Sequence, residues 1–396
     1  MDAVNQCISN LMPSRKKTIV RRSPFPASVS RPVVTPLSPS VVYASTSPDE
    51  LDAQYEGRVD GYTYAREGHP NATVLAEKID FLEDTEGGLI TGSGMAAISA
   101  VMLALLNQGD HVVAGDQLYG RSLRMMKEDL PRFGIETTFV DPADAGAVEA
   151  AIGPNTKMLI FETVANPTLR VADLFAIAKI ANERKLLLVI DSTFTTPRAF
   201  KPFAHGADIV VHSVTKLLAG HADVTLGYVA AREPEHRKKI YDTAVTMGFT
   251  PSPFDCWLAE RGLHSFELRF DKAQSNAQQL ADQLAQLPGV ETVLYPGRSD
   301  HPDHDRAKEV FGDNFGNMVS FRIAGGRDAA NGLIKAAPNI PFAPTLGDVA
   351  TTLSHPASSS HRGLTPDERA AMGITCLLYS SPSPRDATLS RMPSSA

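Results

Sequence analysis

The sequence is poor in the features that mark several protein classes. Cysteine is scarce: Cys7, Cys256 and Cys376 are all there is in 396 residues. Far apart and odd in number, they form no disulfide framework and no CxxC metal pair, which suits a reducing cytoplasm. No apolar run approaches the roughly 18 residues of a membrane helix. The longest such stretch, Met95 to Leu106, carries a serine, follows glycines and reads as a buried helix. Positive charge is not in excess, since 38 basic residues face 45 acidic ones for a net charge of −7. That balance gives no general pull toward nucleic acid or an anionic membrane. Tryptophan occurs once, at Trp257, and with no aromatic partners nearby it reads as packing. What remains is ample: 43% apolar residues are enough for a large core and for more than one domain of about 100–200 residues.

The first 36 residues carry six basic side chains (Arg15, Lys16, Lys17, Arg21, Arg22, Arg31) against one acid, Asp2. A basic, serine-containing start is compatible with a transit peptide. Prolines at 13, 24, 26, 32 and 36 resist the amphipathic helix such peptides favour, so a solvated or partner-wrapping arm over residues 1–62 is the better reading.

From about residue 88 to 231 short apolar runs alternate with helix-like stretches. Leu89-Ile90, His111 to Ala114, Lys157 to Glu162, Leu186 to Asp191, Ile209 to His212 and Leu226 to Ala231 read as strands. Apolar strands separated by helices argue a parallel α/β sheet buried on both faces. Ligands of such sheets sit beyond the carboxyl ends of the strands. The residues placed there are Gly92-Ser93-Gly94, Asn166, Asp191 and His212 to Lys216. Around residue 260 the pattern changes. A long helix from Phe270 to Leu287 and strands at Val290 to Tyr295 and Met318 to Ile323 predict a smaller α+β domain. The expected layout is an arm over 1–62, a large domain over 63–260, a small domain over 261–375 and an atypical disordered tail over 376–396, whose Ser/Pro content breaks all periodicity.

Three groups carry chemistry. Lys216 follows Ser213-Val214-Thr215 at a strand end; a lysine held in an apolar cleft can lose its proton and form a Schiff base. Ser213 and Thr215 are small hydroxyls suited to phosphate oxygens. Asp191 is either a helix N-cap, with Ser192 and Thr193 following, or the carboxylate beneath a pyridinium nitrogen. Gly92 to Ala97 has the form GxGxxA, the dinucleotide fingerprint, with Asp110 downstream. The same physics serves any phosphate at a helix N-terminus, and the pairing with Asp191 and Lys216 favours the single phosphate of pyridoxal phosphate (PLP). His301-Pro302-Asp303-His304-Asp305 reads as a solvated loop rather than a metal site, because no element fixes it.

Ser213-Val214-Thr215-Lys216 followed by Gly220-His221 resembles the lysine motif of the Cys/Met-metabolism PLP enzymes. These include cystathionine γ-synthase, cystathionine γ- and β-lyases, methionine γ-lyase and the homoserine sulfhydrylases. The resemblance runs from about Arg31 to Thr375. It implies the type I PLP fold and a homotetramer of two tight dimers, in the cytoplasm, acting on sulfur amino acids or homoserine esters. It implies roles at matching positions: Gly94, Met95, Ser213 and Thr215 in the phosphate cradle; Tyr64 and Arg66 reaching a neighbouring subunit's cofactor; Tyr119 stacked on the ring; Asn166 near the ring hydroxyl; Asp191 at the ring nitrogen; Lys216 as the imine lysine that moves protons at the substrate.

Specificity is less sharply written. Arg121 stands where methionine γ-lyases carry a cysteine, and Pro344 where cystathionine γ-lyases often carry a glutamate. Arg124 matches an arginine used for a distal carboxylate, or is a solvated helix charge. Thr345-Leu346-Gly347 resembles the family's Ser-Leu-Gly, whose serine helps bind the substrate carboxylate. After Gly373-Ile374-Thr375 the family continues R-L-S-x-G, with an arginine that clamps the α-carboxylate, a bidentate task few side chains can do. Here Cys376-Leu377-Leu378-Tyr379 stands instead. The expectation is a small domain that lacks that strand and the following helix, hence a chain that binds PLP and turns over poorly.

Overall fold

The computed structural model describes residues 28–374 and 377–383. The chain divides into two compact units after Pro36. Residues 28–36 contain no helix or strand, and the basic run of the arm lies largely outside the described residues. The second unit holds the rest, including a short helix at Pro48–Tyr55.

A seven-stranded sheet forms its centre, in the order β1-β7-β6-β5-β4-β2-β3. Its strands are β1 (Leu89–Thr91), β2 (His111–Gly115), β3 (Glu136–Val140), β4 (Thr156–Glu162), β5 (Leu187–Asp191), β6 (Ile209–Ser213) and β7 (Gly227–Ala231). β2 to β6 run parallel, and β7 alone is reversed, antiparallel to both β6 and β1. The sequence dictates this burial. In β6, Val210 joins the apolar core on one face of the sheet, while Ile209 and Val211 join the core on the other. A strand apolar on both faces is stable only with helices covering both. Helices Gly94–Leu105, Leu174–Arg184, Pro234–Met247 and Pro253–Leu263 do that. Sequence reading missed β3, whose pattern Glu136-Thr137-Thr138-Phe139-Val140 is mostly polar because it is an edge strand with no fully buried residue.

The second sheet is antiparallel, in the order β10-β11-β9-β8, with β8 (Val290–Leu294), β9 (Val319–Ile323), β10 (Thr352–Ser354) and β11 (Leu377–Ser381). It packs with helix Phe266–Leu284 around Ala277, Leu280, Leu284, Val319, Phe321 and Leu378. β11 corrects one expectation. The run after Thr375, read as disordered, contributes a central strand paired to β9 and β10. Leu378 and Tyr379 are β-compatible apolar side chains and both are buried; a half-formed sheet with two open edges gives such a run its partners. Residues 384–396 lie outside the described residues.

Two further expectations are corrected. His301 and Asp303 are buried, at 4% and 7% exposure, so the loop read as solvated is a joint. Asp303 takes the Arg170 guanidinium at 2.6 Å, the Arg306 guanidinium at 3.3 Å and the Val171 peptide N–H at 3.0 Å. Arg170 and Val171 lie far away in sequence, which is why the loop looked unanchored. Trp257 does have an aromatic partner, Phe254, one helical turn away, with ring centroids 6.4 Å apart and nearly parallel planes.

Candidate active site at the carboxyl edge of the large sheet

β4 and β5 end at one level, β6 runs two residues further, and their last residues define the site. Glu162 and Asp191 are direct partners across β4 and β5, and Val211, two residues before Ser213, is the partner of Asp191 on β6. Parallel strands deliver three terminal polar groups to one edge.

Asp191 is held by the turn that succeeds β5. Its Oδ1 accepts the Thr193 N–H at 3.0 Å and the Thr193 hydroxyl at 2.5 Å, and the same hydroxyl oxygen accepts the Ser213 N–H at 2.8 Å. Asp191 is not the helix N-cap the sequence allowed: the next helix, Thr196–Ala199, has Thr195 at its N-cap, and the bonds from Thr193 form a turn that orients the acid. Burial raises the Asp191 pKa, while the bonds from Thr193 and the nearby His212 pull it down. His212 is itself buried against Glu83, Nε2 to Oε1 2.5 Å.

Lys216 lies in a turn after β6. Its N–H donates to the Ser213 carbonyl at 3.1 Å and its carbonyl accepts the Gly220 N–H at 2.8 Å. Burial lowers its pKa, and no other contribution to that shift is resolved. The free amine, the nucleophilic form, is thus favoured relative to a surface lysine. Thr345-Leu346-Gly347 packs on this turn. A side chain at Gly347 would stand 2.6 Å from the Leu217 nitrogen and 3.0 Å from the Lys216 carbonyl carbon, so only glycine allows the small-domain segment so close.

The phosphate side is formed by helix Gly94–Leu105. Ser93 caps it, accepting the Ala96 N–H at 3.0 Å, and leaves the first peptide N–H groups of a twelve-residue helix for an anion. A side chain at Gly94 would meet Ser213 Cβ at 2.9 Å, so the helix start and the Ser213 side chain enclose one small space. Met95 Sδ accepts the Ser122 hydroxyl at 3.7 Å, tying that helix to the segment after Tyr119. Tyr119 begins the helix Gly120–Arg124, with its peptide N–H on Glu162 Oε1 at 2.6 Å and the residue 39% exposed. Asn166 is buried on the loop after β4. This set fits PLP: an anion-binding helix start, an amine whose charge is disfavoured, an oriented acid and an aromatic residue open to the cleft.

Not every expected residue joins this cluster. The Thr215 hydroxyl already donates to the Leu226 carbonyl at 3.2 Å and accepts the Leu226 N–H at 3.0 Å, which locks the turn. Tyr64 and Arg66 are exposed and contact each other, the guanidinium 5.2 Å from the ring centroid. Arg124 is exposed in an ion pair with Glu128 at 2.9 Å. On β11, where the resemblance calls for an arginine, Tyr379 is buried in the core that contains Leu217 and Leu346, and the Ser380 hydroxyl donates to the Thr352 carbonyl at 3.1 Å. Glu162 is the buried acid at this edge that sequence reading did not single out. The signal available was its place as the last residue of an apolar strand, the same signal that singled out Asp191.

A half-buried lysine, a half-buried acid on a neighbouring strand end and a phosphate-ready helix, all on a mainly parallel sheet, define a type I PLP-dependent enzyme. The comparisons give the particular family. The model of the Cys/Met metabolism PLP-dependent enzymes matches residues 18–378, and the chain belongs to that family. The chain is 41% identical to L-methionine gamma-lyase of Fusobacterium nucleatum subsp. polymorphum over 317 residues, 80% of each protein. It superposes on cystathionine gamma synthase of Xanthomonas oryzae pv. oryzae, solved with cystathionine, at a TM-score of 0.83 with 34% identity, covering 89% of both chains. A putative O-acetylhomoserine (thiol)-lyase of Campylobacter jejuni, solved with a pyridoxyl-lysine phosphate, gives 0.86 at 26% identity, covering 91% of this chain and 94% of that one. Among the described residues no helix is long and apolar enough to cross a membrane, and no group of three metal-ligating side chains is assembled.

Proposed function

We propose that the chain makes or breaks C–S bonds at the β or γ carbon of sulfur amino acids, in the manner of a cystathionine γ-synthase or γ-lyase. The observation that carries this is the half-buried Lys216 in the turn after β6, the strand paired with the one that ends in Asp191. Methionine γ-lyase and homoserine sulfhydrylase activity are the neighbouring alternatives within the same chemistry. Bound PLP supplies the electron sink for the carbanion formed next to the substrate amine.

The chain's own residues do the rest. Lys216 would hold the cofactor through its amine and, with that amine free, would move protons at the substrate α and β carbons. Asp191 keeps a proton on the ring nitrogen by its charge. Tyr119 would lie against the ring and would exchange a proton at the leaving group. Gly94, Met95 and Ser213, with Thr215 behind them, cradle the phosphate, and Asn166 meets the ring hydroxyl. Thr345 and Arg124 orient substrate carboxylates. Tyr64 and Arg66, exposed and apart from their own Lys216, serve the site of a neighbouring subunit in a homotetramer. The working division is a large domain over 63–260 and a small one over 261–375, in a cytoplasmic enzyme with neither nucleic acid nor membrane as partner. The side chains described on β11 include no arginine, and that favours a second reading, a PLP-binding chain of weak activity.

The test is direct. The purified chain should absorb in the visible with PLP and, after borohydride, carry the reduced cofactor on Lys216 by peptide mass. Product analysis with cystathionine, methionine and O-succinylhomoserine then ranks the substrates. Absence of the Lys216 adduct would overturn the proposal. For the shared site, a Lys216→Ala chain mixed with an Arg66→Ala chain should regain activity that neither has alone. If subunits exchange and no activity returns, the inter-subunit role is wrong.

A further inference from the structure

Glu162 has no part in that chemistry, yet its setting is specific. It ends β4 directly across from Asp191 and is 7% exposed. One oxygen, Oε1, accepts the Tyr119 N–H at 2.6 Å. The other, Oε2, is buried and has no hydrogen-bond partner among the described residues. The peptide N–H of Asn166 also points at this carboxyl group. So one side chain reaches the two loops that bring Tyr119 and Asn166 to the edge of the sheet. A surface strand end would have no need of an acid there, because water would satisfy the Tyr119 N–H.

We propose that Glu162 is a positioning residue: as an uncharged carboxylic acid it fixes the backbone of Tyr119, and so sets the tyrosine ring over the cofactor. Two neighbouring buried carboxyl groups do not both ionise cheaply, and the proton goes to the one less well solvated by donors. Asp191 has two donors from Thr193 on one oxygen and His212 nearby. Glu162 is pushed well above the ordinary carboxylate range, first by burial and then by the Asp191 charge, against the pull of the Tyr119 and Asn166 N–H groups. The division of labour follows. Asp191 keeps the single negative charge for the ring nitrogen, and Glu162 supplies a carbonyl-type acceptor for Tyr119 without adding a second charge to the site.

The inference rests on the PLP reading of the site, and its test separates the two. Glu162→Gln keeps an uncharged acceptor for the Tyr119 N–H; Glu162→Ala removes it and leaves a buried N–H unpaired. The expected results are PLP affinity and kcat within about twofold of the parent for Glu162→Gln. For Glu162→Ala the expected PLP dissociation constant is raised roughly tenfold, the scale of one buried hydrogen bond. Difference infrared spectroscopy of the apo chain gives a readout independent of the loaded enzyme. A protonated-carboxyl band at neutral pH should be present in the parent and in Asp191→Asn, and absent in Glu162→Gln. If Glu162→Gln is as damaged as Glu162→Ala, the charge of Glu162 matters and the proposal fails. It fails equally if the protonated-carboxyl band survives in Glu162→Gln. Should Glu162→Ala not fold, the Glu162→Gln kinetics and the infrared band still decide. Loss of the Lys216 adduct in the parent would remove the PLP reading while leaving the infrared result intact.

Discussion

The large sheet and the small sheet hold their chemical groups by different means. At the carboxyl edge of the large sheet each polar group is the last residue of a short apolar run: Glu162 on β4, Asp191 on β5, Ser213 on β6. Burial of the run fixes the group, so strand and chemistry are one local signal. In the small sheet β11 is a strand because β9 and β10 offer it two open edges, and those partners come from distant parts of the chain. Leu377 to Ser381 fills that slot with hydrogen bonds that any β-compatible residues could make. The fold is kept while the side chains described on β11, Leu378, Tyr379 and Ser380, are all buried and none is an arginine.

The sharpest break of that comparison is at the large sheet. Lys216→Ala should lower turnover by roughly a thousandfold or more, since proton transfer and covalent attachment both end with it. The chain should also lose its visible absorbance on dialysis. A yellow variant that still gives a borohydride-stable adduct would show that the covalent group is elsewhere.

Next in size is the small sheet itself. Replacing residues 376–383 with a family-like R-L-S-x-G strand should raise kcat/KM about tenfold to a hundredfold, with PLP content unchanged. That range is the effect of one charge-assisted contact of about 1.5–3 kcal/mol. If the parent chain already works at the rate of the exchanged one, another group holds the carboxylate and the two sheets do not differ in chemical function.

The joint at His301 and Asp303 gives a third test, on pH. The His301 Nδ1 accepts the Asp303 N–H at 3.1 Å, and burial is the main cause that lowers its pKa to about 4. An unfolded histidine titrates near 6.5. Between these values the unfolded state binds more protons, so stability should fall as pH drops from about 6.5 to about 4. The loss at the end of that window is on the order of 3 kcal/mol, from 1.36 kcal/mol per pKa unit. Asp303, lowered by Arg170 and the Val171 N–H against the effect of burial, acts in the same sense in a more acid window. Its contribution is present above about pH 3.9 and goes only as pH falls through its own lower pKa. Urea unfolding across pH 4–8 should therefore show His301→Asn with a flatter acid limb than the parent. Equal slopes would mean that His301 is not the titrating group.

The same contrast explains how much the sequence disclosed. The fold class, Asp191, Lys216 and the phosphate helix were legible because parallel strands write their geometry locally, in apolar runs with a polar last residue. Glu162 carried the same signal and was passed over, because a carboxyl group that acts through a peptide N–H matches no motif. The Asp303–Arg170 joint and β11 were not legible. Each depends on a partner that only the tertiary fold brings near, so the local run of Pro, Ser, Asp and His looked like loop or tail. Thr215 is the intermediate case. Its place in the motif was plain, while the partner of its hydroxyl, the Leu226 backbone, was not.

The smallest expected effect concerns Arg124, which lies on neither sheet. Its guanidinium pairs with Glu128 at 2.9 Å, and both side chains are more than half exposed. Exposed ion pairs are worth about 0.2–1 kcal/mol. Arg124→Ala should therefore leave the thermal unfolding midpoint essentially unchanged. As a contact for a distal carboxylate, Arg124 has to leave Glu128, and the exchange of one exposed acid partner for another is worth no more than the pair itself. The expected loss in kcat/KM for cystathionine is roughly two- to fivefold, the scale of an exposed ion pair. Methionine has no distal carboxylate, so its kcat/KM should stay unchanged. The ratio of the two substrates is the measurement, because it cancels any general effect of the substitution on folding or cofactor binding. An unchanged ratio would assign Arg124 to the helix surface alone and leave Thr345 as the substrate-facing group carried from the motif. A change well beyond fivefold would show that the guanidinium is desolvated when substrate is bound, and that the segment after Tyr119 closes over the site.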